Sequence, residues 1–155
     1  MDIRKILAQR TVPYETLERM MDFDAGEVFE TDGPTSEQAI SETESLSGKL
    51  PNDYRRWIAR FGAACTHDET VIVYGVSISE YKLLREPREV GLEIACLDEG
   101  DDLRILDKHG CVFSTGYDES YPCFSSFLAS LLCGRSLRVE QEFKEELGRL
   151  PTTGR

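Results

Sequence analysis

The chain has 155 residues, 40% of them hydrophobic, and sets 18 Lys and Arg against 29 Asp and Glu for a formal net charge of -11. That is enough chain and enough apolar surface for one domain whose core needs no disulfide or metal staple. The charge repels nucleic acid and anionic membranes and attracts basic partners, which argues against direct DNA or RNA binding.

Residues 2 to 9 and 14 to 22 carry apolar side chains at helical spacing (Ile3, Ile6, Leu7; Tyr14, Leu17, Met21) and are separated at Val12-Pro13. They are expected to form two short helices packed on the body as an extension spanning 1–34. Neither these residues nor any later stretch holds an apolar run fit for a signal peptide or a membrane span, so a cytoplasmic location is expected. Asp24 to Pro34 reads as an acidic, turn-rich connection. Thr35 and Gln38 have capping-box spacing ahead of Ala39, Ile40, Thr43 and Leu46, which predicts a helix from about Ser36 to Ser47, stopped by Gly48.

The central helix follows. Pro51 suits a first helical position and Asp53 puts a negative charge in the first turn. Tyr54, Trp57, Ile58 and Phe61 form one apolar stripe, Gly62 supplies the stop, and Arg55, Arg56 and Arg60 lie off the stripe and are expected to stay solvated. Trp57 and Tyr54 at this spacing read as core anchors without chemistry.

Thr70 to Tyr74 is β-branched and is read as the first strand, and Val76 to Gly91 as a long charged connection with a turn of helix around Ser79 to Leu84. Leu92–Leu97, Leu103–Leu106 and Cys111–Ser114 are strand-length runs separated by Asp98-Glu99-Gly100-Asp101-Asp102 and Asp107-Lys108-His109-Gly110, the pattern of an antiparallel meander. Phe124, Phe127, Leu128, Leu131 and Leu132 return to helical spacing before Gly134. Leu137, Val139, Phe143, Leu147 and Leu150 suggest a last helix before a frayed end. Together these predict an α+β domain in which helices cover one face of an antiparallel sheet and leave the other partly exposed.

The order of these pieces carries a resemblance. A helix leading into Leu50-Pro51-x-Asp53-Tyr54, then Leu92-Glu93-Ile94-Ala95, Gly100-Asp101, Leu106-Asp107, Gly110-Cys111-Val112 and Phe124-Ser125-Ser126-Phe127-Leu128 resembles the SUKH superfamily, which includes the SMI/KNR cell-wall regulator domain. The resemblance covers about 35–134, leaving a C-terminal helix and tail at 135–155. It implies a non-enzymatic α+β binding domain without a cofactor, in bacteria often an immunity protein that neutralises a polymorphic toxin, frequently a nuclease. The alternative it implies is a scaffold or regulatory protein-interaction domain.

Chemistry-bearing residues are sparse. Cys65-x-His67 and His109-x-Cys111 could share strand faces as zinc ligands, but neither has a standard zinc spacing, and the five scattered cysteines without Cys-x-x-Cys fit reduced, mostly buried thiols. No orienting third residue, P-loop or Gly-x-Ser-x-Gly points to catalysis. Asp98, Glu99, Asp101 and Asp102 lack the ligand order of a calcium loop. Joined by Asp107, Asp118 and Glu119, they make the candidate partner-binding surface, an acidic patch that would mimic phosphates in the cleft of a basic toxin domain; a solvated hairpin turn is the plainer reading. Acidity is regional: residues 1–50 hold 5 basic against 11 acidic residues, and residues 92–125 hold 2 against 8. The N-terminal region is therefore the second candidate.

Overall fold

A computed structural model describes residues 2–75, 92–97, 102–107, 109–114 and 119–149, with the side chains of 24, 25, 46, 47 and 102 outside the description. Seven antiparallel strands follow one another in sequence order as a single meander, β1 (Phe29–Thr31), β2 (Ala64–Thr66), β3 (Val71–Val73), β4 (Leu92–Leu97), β5 (Asp102–Leu106), β6 (Val112–Ser114) and β7 (Ser120–Tyr121). The described helices are α1 (Ile3–Leu7), α2 (Tyr14–Val28), α3 (Glu37–Ser47), α4 (Asn52–Arg60), α5 (Phe124–Cys133) and α6 (Leu137–Arg149). The fold is therefore α+β with an antiparallel meander, as the sequence pattern implied.

One hydrophobic cluster runs through all of it. Ile3 and Leu7 of α1, Leu17 of α2, Tyr54, Trp57 and Ile58 of α4, and Phe124, Phe127 and Leu128 of α5 pack with Val73, Ile94 and Leu106 of the sheet. The N-terminal helices and α6, through Val139, Phe143 and Leu147, belong to this same core. Helix α5 is buried around its whole circumference, which is why its sequence carries no charged residue and its only polar side chains are the small hydroxyls of Ser125, Ser126 and Ser130. Tyr54 and Trp57 are fully buried, with ring centroids 4.8 and 5.4 Å from Phe124, so the α4 stripe is the core anchor its spacing predicted.

Several expectations are corrected. Helix α2 does not stop near residue 22 but runs to Val28, and the connection that follows contains β1, pairing Phe29 with Thr66, Glu30 with Cys65 and Thr31 with Ala64. Three residues bounded by acidic and turn-forming neighbours carry too little pattern to be read as a strand; only the pairing with β2, another three-residue strand, makes one. The Thr70–Tyr74 run thus contributes the third strand, not the first. Helix α3 is capped by Ser36, whose Oγ accepts from the Ala39 N–H, while the Gln38 side chain turns to Glu42; Thr35 is not the cap. Pro51 is the N-cap of α4, one place ahead of the first helical residue. Leu137, expected on the apolar side of α6, is 83% exposed. The turn of helix expected around Ser79 to Leu84, and Leu150, lie outside the described residues.

Gly62 holds the crossing of β1 over the end of α4. It has φ +74°, and a Cβ there would stand 2.4 Å from the Gly33 carbonyl oxygen, so both its conformation and the space beside it require glycine.

Candidate protein-interaction surface

Helix α4 decides where the acidic charge of the N-terminal third is spent. Its three arginines are not simply solvated: Arg55 pairs with Glu37 and, at 3.2 Å, with Glu44 of α3; Arg56 pairs with Glu15 of α2 at 2.6 Å; Arg60 pairs with Glu18 at 3.1 Å and Asp22 at 2.7 Å. The i, i+1, i+5 spacing of the arginines sends them to both flanks of the stripe, so α4 is an electrostatic clamp between α2 and α3. Hydrogen bonding by Arg56 holds the Glu15 carboxyl below its usual range, and Arg55 does the same for Glu37.

Glu27 reaches Arg138 at 3.8 Å, and Asp2 caps α1 through the Arg4 N–H. Glu30 and Asp32 of the β1 segment are exposed and have no ion-pair partner among the described residues. The sequence places these two only within the acidic connection of the second candidate region; the short alternation of Phe29, Glu30 and Thr31 is the signal that sets them on one strand face.

The residues singled out from the sequence are placed unequally. Asp98, Glu99, Asp101 and Asp118 lie outside the described residues, and Asp102 is placed only through its backbone, opposite Leu97 in the β4–β5 ladder. Asp107 is half-buried at the β5–β6 turn, where its Oδ1 accepts from the N–H groups of His109 (2.9 Å) and Cys111 (3.0 Å), so this oxygen shapes the turn. Glu119 is 44% exposed and pairs at 3.0 Å with Arg104, whose side chain is 4% exposed. It therefore anchors β7 to β5 while keeping part of its carboxylate at the surface.

Close to that turn lies an open cleft of about 370 Å³ between the Thr11–Glu15 segment, the start of α4, the β5–β6 turn and Cys123. Arg56 lines it, stacked 4.4 Å above the Tyr14 ring and paired with Glu15. At its floor Asp53 does more than favour its own helix: Oδ2 accepts from the Ser125 N–H (2.9 Å) and Oγ–H (3.1 Å), capping α5 across space, where the N-cap residue Cys123 makes no side-chain cap. Burial pushes the Cys123 thiol up, and burial followed by the Asp107 charge pushes up Cys111, so both are held as neutral thiols rather than thiolates. Cys123 contacts Ser126 Oγ at 3.3 Å and the Val12 carbonyl oxygen at 3.9 Å. What these groups do here is close hydrogen bonds between α5 and the Val12 segment.

The two Cys-x-His pairs are kept apart. Cys65 and His67 belong to β2 and its turn, His109 and Cys111 to the β5–β6 turn, at least three inter-strand steps or about 14 Å away across the sheet and displaced along the strands as well. His67 Nε2 lies 2.8 Å from the Gly26 carbonyl oxygen. Among the described residues no three His, Cys, Asp or Glu side chains gather as metal ligands, and none of the five cysteines is joined in a disulfide. No helix among them is long and apolar enough to cross a membrane. Comparisons with protein-family models, with curated proteins and with solved structures find no match.

Proposed function

We propose that this protein is a non-enzymatic binder that neutralises a basic protein partner through an acidic surface, most specifically an immunity protein acting on a cognate bacterial toxin domain. The observation that carries this reading is the disposition of charge. The arginines of α4 are paired with carboxylates of α2 and α3, so the excess behind the net charge of -11 rests on carboxylates without such partners, the exposed Glu30 and Asp32 among them. Such a surface steers a basic partner and raises its association rate. The resemblance to the SUKH superfamily supports the same class, and it also supports the alternative of an acidic scaffold domain.

The two readings separate in one experiment. The protein is used to isolate its partner from the native host, and the partner is then expressed alone and together with this chain. An immunity protein predicts that the partner alone arrests growth and that co-expression restores it; a partner harmless on its own favours the scaffold. Changing Asp98, Glu99, Asp101 and Asp102 to their amides then tests the first acidic patch, because loss of steering lowers the association rate and flattens its dependence on salt.

A further inference from the structure

Among the described strands the sheet has two ends, and β1 offers the longer edge. At β1 the Asp32 N–H donates to the Ala63 carbonyl (2.9 Å) and the His67 N–H to the Val28 carbonyl (3.1 Å), so residues 28, 30 and 32 turn their backbone groups toward β2. In an antiparallel ladder the alternate residues turn theirs the other way. The Thr31 N–H and the carbonyls of Phe29 and Thr31 therefore point to the side of β1 that no described strand covers. At the far end β7 has two residues and runs almost directly into α5.

The side chains around this edge define what fits it. Phe29 is 3% exposed and fixes β1 to the core. Glu30 and Asp32 stand on the opposite face, about 7 Å apart along the strand, and are exposed. A strand laid against β1 would run about 5 Å away, with side chains on that face recurring every second residue. A second copy of this chain paired there in antiparallel fashion would set Glu30 and Asp32 against their own equivalents, which like-charge repulsion disfavours.

We infer that the free edge of β1 takes up an extended basic segment of a protein partner as an added strand, with Lys or Arg at alternate positions meeting Glu30 and Asp32. Backbone hydrogen bonds would supply register and the two carboxylates the selection. This rests on the reading of the protein as a binder of basic proteins and assigns the contact to a particular edge.

The test uses the full chain, isotopically labelled, titrated with a short blocked peptide of alternating Lys and Val. The expected result is a shift of the Thr31 amide resonance with slowed hydrogen exchange there. The same peptide N-methylated on its alternate, strand-facing amides, with charge unchanged, should lose binding. A Glu30→Gln/Asp32→Asn variant should bind the parent peptide about tenfold more weakly, the equivalent of two exposed ion pairs. Equal binding of the N-methylated peptide, perturbation centred on another surface, or no binding at all overturns the proposal. Thr31→Pro separates it from the broader reading, since proline is tolerated where an edge N–H faces solvent. If the folded Thr31→Pro protein still captures the native partner as the parent does, strand addition fails and the binder reading stands. If the peptide gives the Thr31 signature but the host yields no basic partner, strand addition stands and the binder reading fails.

Discussion

At the scale of single residues, two side chains connect distant parts of the chain and a third ties a turn. Trp57 is fully buried against Phe61 and Phe124, so Trp57→Ala leaves a large cavity and is expected to cost about 3–5 kcal/mol, read from the denaturant midpoint. Asp53 caps a helix that begins about seventy residues later in the chain. Asp53→Ala should cost about 1 kcal/mol or somewhat more, because the Ser125 N–H and Oγ–H lose their acceptor together. Asp68 accepts from Thr66 Oγ1 and from the Thr70 hydroxyl and N–H, and these bonds, the Thr66 one foremost, pull its carboxyl down to about 2. A carboxyl depressed on folding stabilises the native state above its unfolded value, near 3.9, and loses that contribution as pH falls through 2. Stability should therefore drop between about pH 4 and 2, and in Asp68→Asn that part of the profile should flatten, as acid titration followed by circular dichroism would record.

At the scale of elements, α4 combines an apolar stripe with a charged clamp, and the two contribute unequally. The stripe sits in the core, whereas the arginine pairs are partly exposed and each exposed pair is worth about 0–1 kcal/mol. Arg60→Gln should thus lower stability by less than about 1 kcal/mol, and the loss should shrink as salt is raised, whereas the Trp57→Ala loss should not. Gly62 ends α4 and admits β1. Gly62→Ala is expected to be far more damaging than a left-handed alanine elsewhere, because the added Cβ meets the Gly33 backbone oxygen at 2.4 Å. Its thermal midpoint should fall well below that of Arg60→Gln.

At the scale of the whole molecule, helices from both ends of the chain and the sheet share one core, so the protein is expected to unfold as a unit. Cys133 at the end of α5 reports on this: it is 3% exposed and burial pushes its thiol up to about 12. A thiol reagent should leave Cys133 unmodified in the native protein and label it at a rate that follows global unfolding across a urea series. Labelling at low urea, ahead of the loss of helical signal, would mean that the α5 end opens separately.

The sequence by itself determined the elements whose residues repeat over several turns or strand positions: α4 from Tyr54, Trp57 and Ile58, α5 from its phenylalanines and leucines, and the β4–β6 meander from apolar runs punctuated by Asp and Gly. In these, burial imposes a period that local spacing reveals. It also determined the acidic excess and the odd, scattered thiols, because composition needs no geometry. Only the tertiary structure decided β1 and β2, since a three-residue strand is stable through its ladder and not through its own propensity. The same holds for the arginine clamp and for the capping of α5 by Asp53. A charge on a helix surface looks the same in sequence whether it meets water or a carboxylate from another helix, and what it meets is fixed by how the helices pack.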